Sequence, residues 1–175
     1  MQQTISFILS ITGLIILIAA SLIKGEKMTG ILMMLFVGDV LVATSYLFTE
    51  AGLSGGLASF VGAVQAIINY FFAAKEKPLP KWLIFIYALS FGAVSMMSYA
   101  APVDILALLA SLAFVAMVSA KNGTWYRIWL SINSIVWILY DILSQSYGPL
   151  ATHTALCVFT LLGLVINDLK KGEKA

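Results

Sequence analysis

Seven apolar stretches dominate this sequence, and each has roughly the 20 residues that a helix needs to cross a bilayer. They run over residues 4–23, 28–48, 53–74, 81–99, 103–120, 125–146 and 149–169. Transmembrane barrel strands would be ~10-residue segments of alternating polarity. These runs are about twice as long and do not alternate, so helices are expected. Lipid offers a backbone no hydrogen-bond partners, which favours the same answer. Composition agrees: 61% of the 175 residues are hydrophobic and 10% are charged, where a soluble domain is about 25% charged. A water-soluble globular protein, a disordered chain and a nucleic-acid binder are all disfavoured.

The breaks are short and chemically distinct. Lys24-Gly25-Glu26-Lys27 follows the first run, and Glu50-Ala51-Gly52 precedes the third. Lys75 to Lys81, with Pro78 and Pro80, is the longest polar break. Ala101-Pro102 opens the fifth run, Asn122-Gly123 is a turn dipeptide, and Gly148-Pro149 marks the last turn. No linker separates soluble domains, so residues 1–175 read as one transmembrane domain.

With seven spans, the breaks alternate between two sides of the membrane. Lys24, Lys27, Lys75, Lys77, Lys81, Lys121, Arg127, Lys170, Lys171 and Lys174 are all the basic residues present, and all fall on one side. The positive-inside rule then expects the C-terminus in the cytoplasm and the N-terminus outside. A signal peptide carries its basic residues before the apolar stretch. Here Met1 to Thr4 has none and Lys24 and Lys27 follow, so a cleaved leader is not expected. Spans one to three (4–74) and five to seven (103–169) enter from the same side, with 81–99 as connector. A parallel repeat of two triple-helix bundles is therefore the expected plan. Sliding by 94 residues pairs Lys27 with Lys121, Asp39 with Asn133 and Tyr46 with Tyr140. Sliding by 98 pairs Asn69 with Asn167.

Asp39 is the residue a bilayer tolerates least. It stands mid-way along the second span, where an Asp costs about 2.5 to 3.5 kcal/mol on insertion scales. Such a group marks a pathway, an ion site or a paired charge, or else a neutral acid bonded to a neighbouring helix. Gln65 in the third span and Asn133 in the sixth stand at similar depth. Buried amides also serve as interhelical glue, worth about 0.6 kcal/mol on average. Asn69 is four residues beyond Gln65 on the same face. Asn167 is near enough to its span's end to be a cap.

Trp129, Asn133, Trp137 and Tyr140 recur at helical spacing along the sixth span, with Asp141 close to that stripe. Trp125 and Tyr126 fit an interfacial aromatic belt. Trp137 beside Asn133 suits a planar or ring-shaped solute, by stacking and hydrogen bonding. His153 is an exit-side ligand, a proton carrier or an interfacial residue. The lone Cys157 excludes an intrachain disulfide and reads as a packing residue. No phosphate loop, metal-ligand pair or nucleophile elbow occurs, so neither an enzyme nor a cofactor or metal site is expected.

Ala101-Pro102-Val103-Asp104-Ile105-Leu106, the Lys121-Asn122-Gly123 turn, and Trp137 and Tyr140 before a short Ser-Tyr-Gly loop resemble the bacterial inner-membrane proteins called YgjV-like. The likeness runs over most of the chain from about Lys24. It extends to the wider group of SWEET, PQ-loop and PnuC-type transporters, and implies a 3+1+3 helix plan with an outside N-terminus. The sequence departs from that group in lacking any Pro-Gln pair and the internal prolines of SWEET-type gating helices. A hinge would have to use other residues, such as Gly13 or Gly38. Asn69 and Asn167 are the nearest counterparts of the paired sugar-site asparagines, although both stand closer to the cytoplasmic side. The aromatic and amide groups of PnuC-type carriers are better matched by Trp137 and Asn133.

The resulting expectation is a multi-pass carrier of the bacterial inner membrane for a small polar solute (a sugar, nucleoside or vitamin-like molecule). Asp39, Gln65, Asn69, Asn133, Trp137 and Tyr140 form the expected site, and one bundle rocks against the other. The expected partners are that solute and the lipid bilayer, without nucleic acid; a homo-oligomer is compatible with the sequence. The alternative is a non-transporting interaction or sensor protein, in which Asp39 engages another protein's helix.

Overall fold

The computed structural model describes residues 2–23, 28–46, 48, 52–99, 102–143 and 147–168. Among them are seven α-helices and no strand: α1 Gln2–Leu22, α2 Met28–Tyr46, α3 Gly52–Ala74, α4 Lys81–Ser98, α5 Asp104–Val118, α6 Gly123–Leu143 and α7 Tyr147–Asn167. Every boundary lies within three residues of the apolar run that predicts it. Thr4–Leu22, Met28–Ser45 and Leu150–Asn167 are long and apolar enough to cross a membrane. The Lys24–Lys27 and Glu50-Ala51 breaks, Ala101, and Lys170, Lys171 and Lys174 lie outside the described residues.

Local chemistry sets the helix ends. α3 stops in a Schellman turn, with Lys77 N–H donating to Phe72 O (3.0 Å) and Glu76 N–H to Ala73 O (3.1 Å). Glu76 adopts the left-handed conformation usually given to glycine there, with φ 52°. α6 begins at Gly123 because Asn122 caps it, its Oδ1 accepting Trp125 N–H at 3.0 Å. α5 ends two residues earlier than expected. Its terminal Val118 carbonyl is taken by the Asn69 amide of α3 at 2.6 Å, and Ala120 N–H turns back to Met117 O.

The helices pack in two runs of three. α2 lies against α1 and α3, and α6 lies against α5 and α7. α4 touches α3 and α5, while α1 meets α7 and closes the ring. Gly13 and Gly38, candidate hinges by sequence, form the α1–α2 crossing. A Cβ on Gly13 would stand 3.0 Å from Gly38 O, and one on Gly38 2.7 Å from Leu17 Cδ2. Their missing side chains serve backbone approach, as small residues do between membrane helices.

Lys75, Lys77, Lys81, Lys121 and Arg127 gather where α3, α5 and α7 finish and α2, α4 and α6 start; this is the basic end. The main apolar core fills that half. It joins Ile31 and Leu35 of α2, Ala66 of α3, Met117 of α5, Tyr126 and Leu130 of α6, and Leu156 of α7. Large apolar side chains such as Phe7, Phe85, Met96 and Ile166 are exposed around the outside. The exterior is therefore as oily as the interior, as a lipid-facing surface requires.

Candidate functional site

The inward face of α2 is apolar for two turns and then changes. Ile31 and Leu35 enter the core, and the next residue at that spacing is Asp39. It stands eleven residues after Met28, about 16 Å along the helix axis. α6 changes in the same sense. Tyr126 and Leu130 are core residues, followed on the buried face by Asn133, Ser134 and Asp141. Beyond the buried Arg127 at the basic end, these two faces are thus apolar first and polar from mid-depth toward the far end.

Asp39 and Gln65 stand on α2 and α3, which pack against each other. The Asp39 carboxyl lies against Gly62, where a Cβ would be 3.2 Å from Oδ2. Gln65 follows one turn along α3, only 1% exposed. Among the described residues, Asp39 Oδ2 and both polar atoms of Gln65 have no hydrogen-bond partner. The Tyr126 hydroxyl is also without a partner, and Tyr126 belongs to the same core cluster as Leu35 of α2 and Ala66 of α3. Buried polar atoms are nearly always satisfied in a finished interior. The hydroxyls of Ser119, Ser134 and Thr160 are buried without partners among the described residues as well, so Asp39 and Gln65 are set apart by being a carboxyl and an amide.

The remaining expected residues are placed elsewhere and are engaged. Asn69 donates to Val118 O and accepts from the Tyr87 hydroxyl at 2.9 Å, so it ties α3 to α4 and α5. Asn133 donates to Ala110 O at 2.7 Å, joining α6 to α5. Trp137 and Tyr140 belong to a second cluster nearer the far end. There the Trp137 ring stacks on His153, centroids 5.3 Å apart and planes 10° apart. His153 Nδ1 lies 2.7 Å from Asp141 Oδ2, and Tyr140 donates to Asp104 Oδ1 at 3.3 Å. The expectation of one mid-depth set thus resolves into two levels, with Asp39 and Gln65 below and the aromatic cluster above. Asn167 donates to Leu22 O, joining α7 to α1.

Tyr126 corrects the sequence reading. Expected with Trp125 in an interfacial belt, it is fully buried while Trp125 is 53% exposed. Successive helical residues diverge by about 100°, so two adjacent aromatics cannot share one face. The four-residue step from Tyr126 to Leu130 carried the signal for its inward position. Gly62 and Phe114, which flank Asp39, had no distinguishing sequence pattern.

A family model described as bacterial inner membrane protein, Imp-YgjV, matches residues 3–166. Comparison with curated proteins and with solved structures gives no match.

Proposed function

We propose that this chain, which belongs to the Imp-YgjV family of bacterial inner membrane proteins, is a carrier for a small polar solute. In this reading all seven helices cross the membrane, with the N-terminus outside and the basic end in the cytoplasm. The observation that carries it is the set of unpartnered buried atoms on Asp39 and Gln65. A buried carboxyl and amide without partners offer a polar solute the hydrogen bonds they lack.

Asp39 and Gln65 bind the solute's polar groups, and Asn133 contributes its remaining hydrogen-bonding capacity from α6. Trp137 and Tyr140 line the route toward the far end, where a ring or methylene surface can rest on them. Asn69 holds α3, α4 and α5 in register, and it reaches a solute only when its bond to Val118 opens. Two three-helix runs that meet through α4 and through the α1–α7 contact are suited to rocking against each other. This arrangement also supports kinship with SWEET, PQ-loop and PnuC-type carriers. The reading includes no enzymatic step and no cofactor.

Uptake into liposomes reconstituted with the full chain tests it, with a panel of sugars, nucleosides, vitamins and small amines. At least one class is expected to enter faster than into protein-free vesicles, with Asp39→Asn and Gln65→Leu each reducing that rate about tenfold or more. Uptake indistinguishable from empty vesicles across the panel, by protein that remains folded, would overturn the carrier reading.

A further inference from the structure

The unpartnered atoms at mid-depth are chemically unequal, and the inequality points to a class of solute. Asp39 Oδ2 and Gln65 Oε1 are acceptors, Gln65 Nε2 is a donor, and the Tyr126 hydroxyl can act as either. Their residues are 9%, 1% and 0% exposed, so bulk water does not serve them. The Asp39 carboxyl is the one ionisable acid in the group, and the only formal charge it can carry is negative. Arg127, next in sequence to Tyr126, does not neutralise it. Its guanidinium is held by Asp168 and by the carbonyls of Ser21 and Ile23. A carboxylate buried without a cation is strongly unfavourable.

Gly62 lets Asp39 and an aromatic ring both close onto α3. A Cβ there would lie 3.2 Å from Asp39 Oδ2 and 3.0 Å from Phe114 Cζ. Carboxylate and ring edge thus pack against one point on the α3 surface.

We infer that this site takes a small primary amine in its ammonium form, bearing a hydroxyl or similar acceptor nearby. An –NH3+ group has three N–H donors, for which Asp39 Oδ2 and Gln65 Oε1 are unpartnered acceptors and the Tyr126 hydroxyl oxygen a further one. Its charge answers Asp39, and the Gln65 amide N–H meets the solute's own acceptor. A hard divalent cation asks for about six or more oxygens, which a site flanked by Phe114 does not supply. The inference deepens the carrier reading by naming its solute class.

Binding to the purified full-length protein tests it separately from transport. Ethanolamine hydrochloride is compared by calorimetry and thermal unfolding with ethylene glycol, its neutral counterpart, with tetramethylammonium chloride, which has charge but no N–H, and with sodium chloride. Ethanolamine is expected to raise Tm saturably, ethylene glycol and sodium chloride to leave it unchanged, and tetramethylammonium to bind about tenfold more weakly or worse. Asp39→Asn should weaken ethanolamine binding about tenfold or more, and Gln65→Met by a smaller factor. Should Asp39→Asn fail to fold, Gln65→Met decides by the same comparison. Equal binding of ethylene glycol, displacement of ethanolamine by sodium ion, or unchanged affinity in both variants would overturn the assignment. Amine binding with inert liposomes would defeat the carrier reading alone, and uptake of a neutral solute without amine binding would defeat this one alone.

Discussion

Arg127 and Asp168 form a two-pronged ion pair at the basic end, with Nε 2.7 Å from Oδ2 and Nη2 2.9 Å from Oδ1. The guanidinium also reaches Ile23 O at 2.9 Å, and Thr124 donates to Asp168 Oδ1 at 2.9 Å. Asn167 adds a bond to Leu22 O at 3.0 Å. The last carbonyls of α1 have no intrahelical donors, and a cation at a helix C-terminus also opposes the helix dipole. One arginine on α6 therefore binds the ends of α1 and α7 together. In the carrier reading this clamp closes the cytoplasmic end.

Breaking one side of the clamp should be costly. Arg127 is 1% exposed and Asp168 13%, so Asp168→Asn leaves a largely buried guanidinium without its anion. A loss of about 3 to 5 kcal/mol is expected, read as a lowered midpoint in denaturant unfolding of the detergent-solubilised protein. Arg127→Met with Asp168→Leu should lose less than Asp168→Asn alone, because no charge is stranded. A double variant weaker than the single one would contradict this account.

Gly163 permits the same contact between α1 and α7. A Cβ there would stand 2.5 Å from the backbone oxygen of Ser21 and 3.3 Å from Arg127 Cδ. Gly163→Ala must push α1 away and should cost about 1 to 3 kcal/mol. Gly92 in α4 has nothing within 4 Å of its Cβ position, so Gly92→Ala should gain about 0.5 to 1 kcal/mol from helix propensity. Thermal unfolding of the two variants should move in opposite directions.

The far-end cluster should show coupling between α6 and α7. Asp141 is 2% exposed and His153 23%, and their contact is ionic only when the imidazole is protonated. Asp141→Asn and His153→Gln should therefore be non-additive, with a coupling energy of about 0.5 to 3 kcal/mol in a double-mutant cycle. Strict additivity would mean that the pair contributes no interaction of its own. Trp137→Leu removes the stacked ring, and should weaken that coupling without touching Asp39.

The helices were legible because each is a long apolar run bounded by glycine, proline, asparagine or charged residues. Asp39 and Gln65 were legible because a polar group at that depth is costly wherever its neighbours lie. Their partners were not, since the contacts depend on how helices distant in sequence face each other. Arg127 and Asp168 are 41 residues apart, and Asn167 and Leu22 are 145 apart. Arg127 read only as one more charge on the basic side, and His153 as an interfacial residue, until packing put Asp168 and Asp141 beside them. Gly62 shows the limit most sharply, because its role is the space it leaves for Asp39 and Phe114.

Gln65 offers the sharpest contrast between a structural and a functional amide. A buried amide that holds helices together loses stability when replaced, whereas one without partners carries a desolvation cost and gives nothing back. Gln65 has neither its Nε2 nor its Oε1 bonded among the described residues. Gln65→Met keeps a similar volume and removes that cost, so the resting protein should become more stable by about 1 to 2 kcal/mol. The same change should weaken solute binding, the trade expected where a site is kept at the expense of stability. Asn69→Leu is the matched control. Its amide is bonded to Val118 and Tyr87, so that variant should be destabilised by about 1 to 3 kcal/mol. Unfolding midpoints that fall for both variants would place Gln65 among the structural amides and remove it from the site.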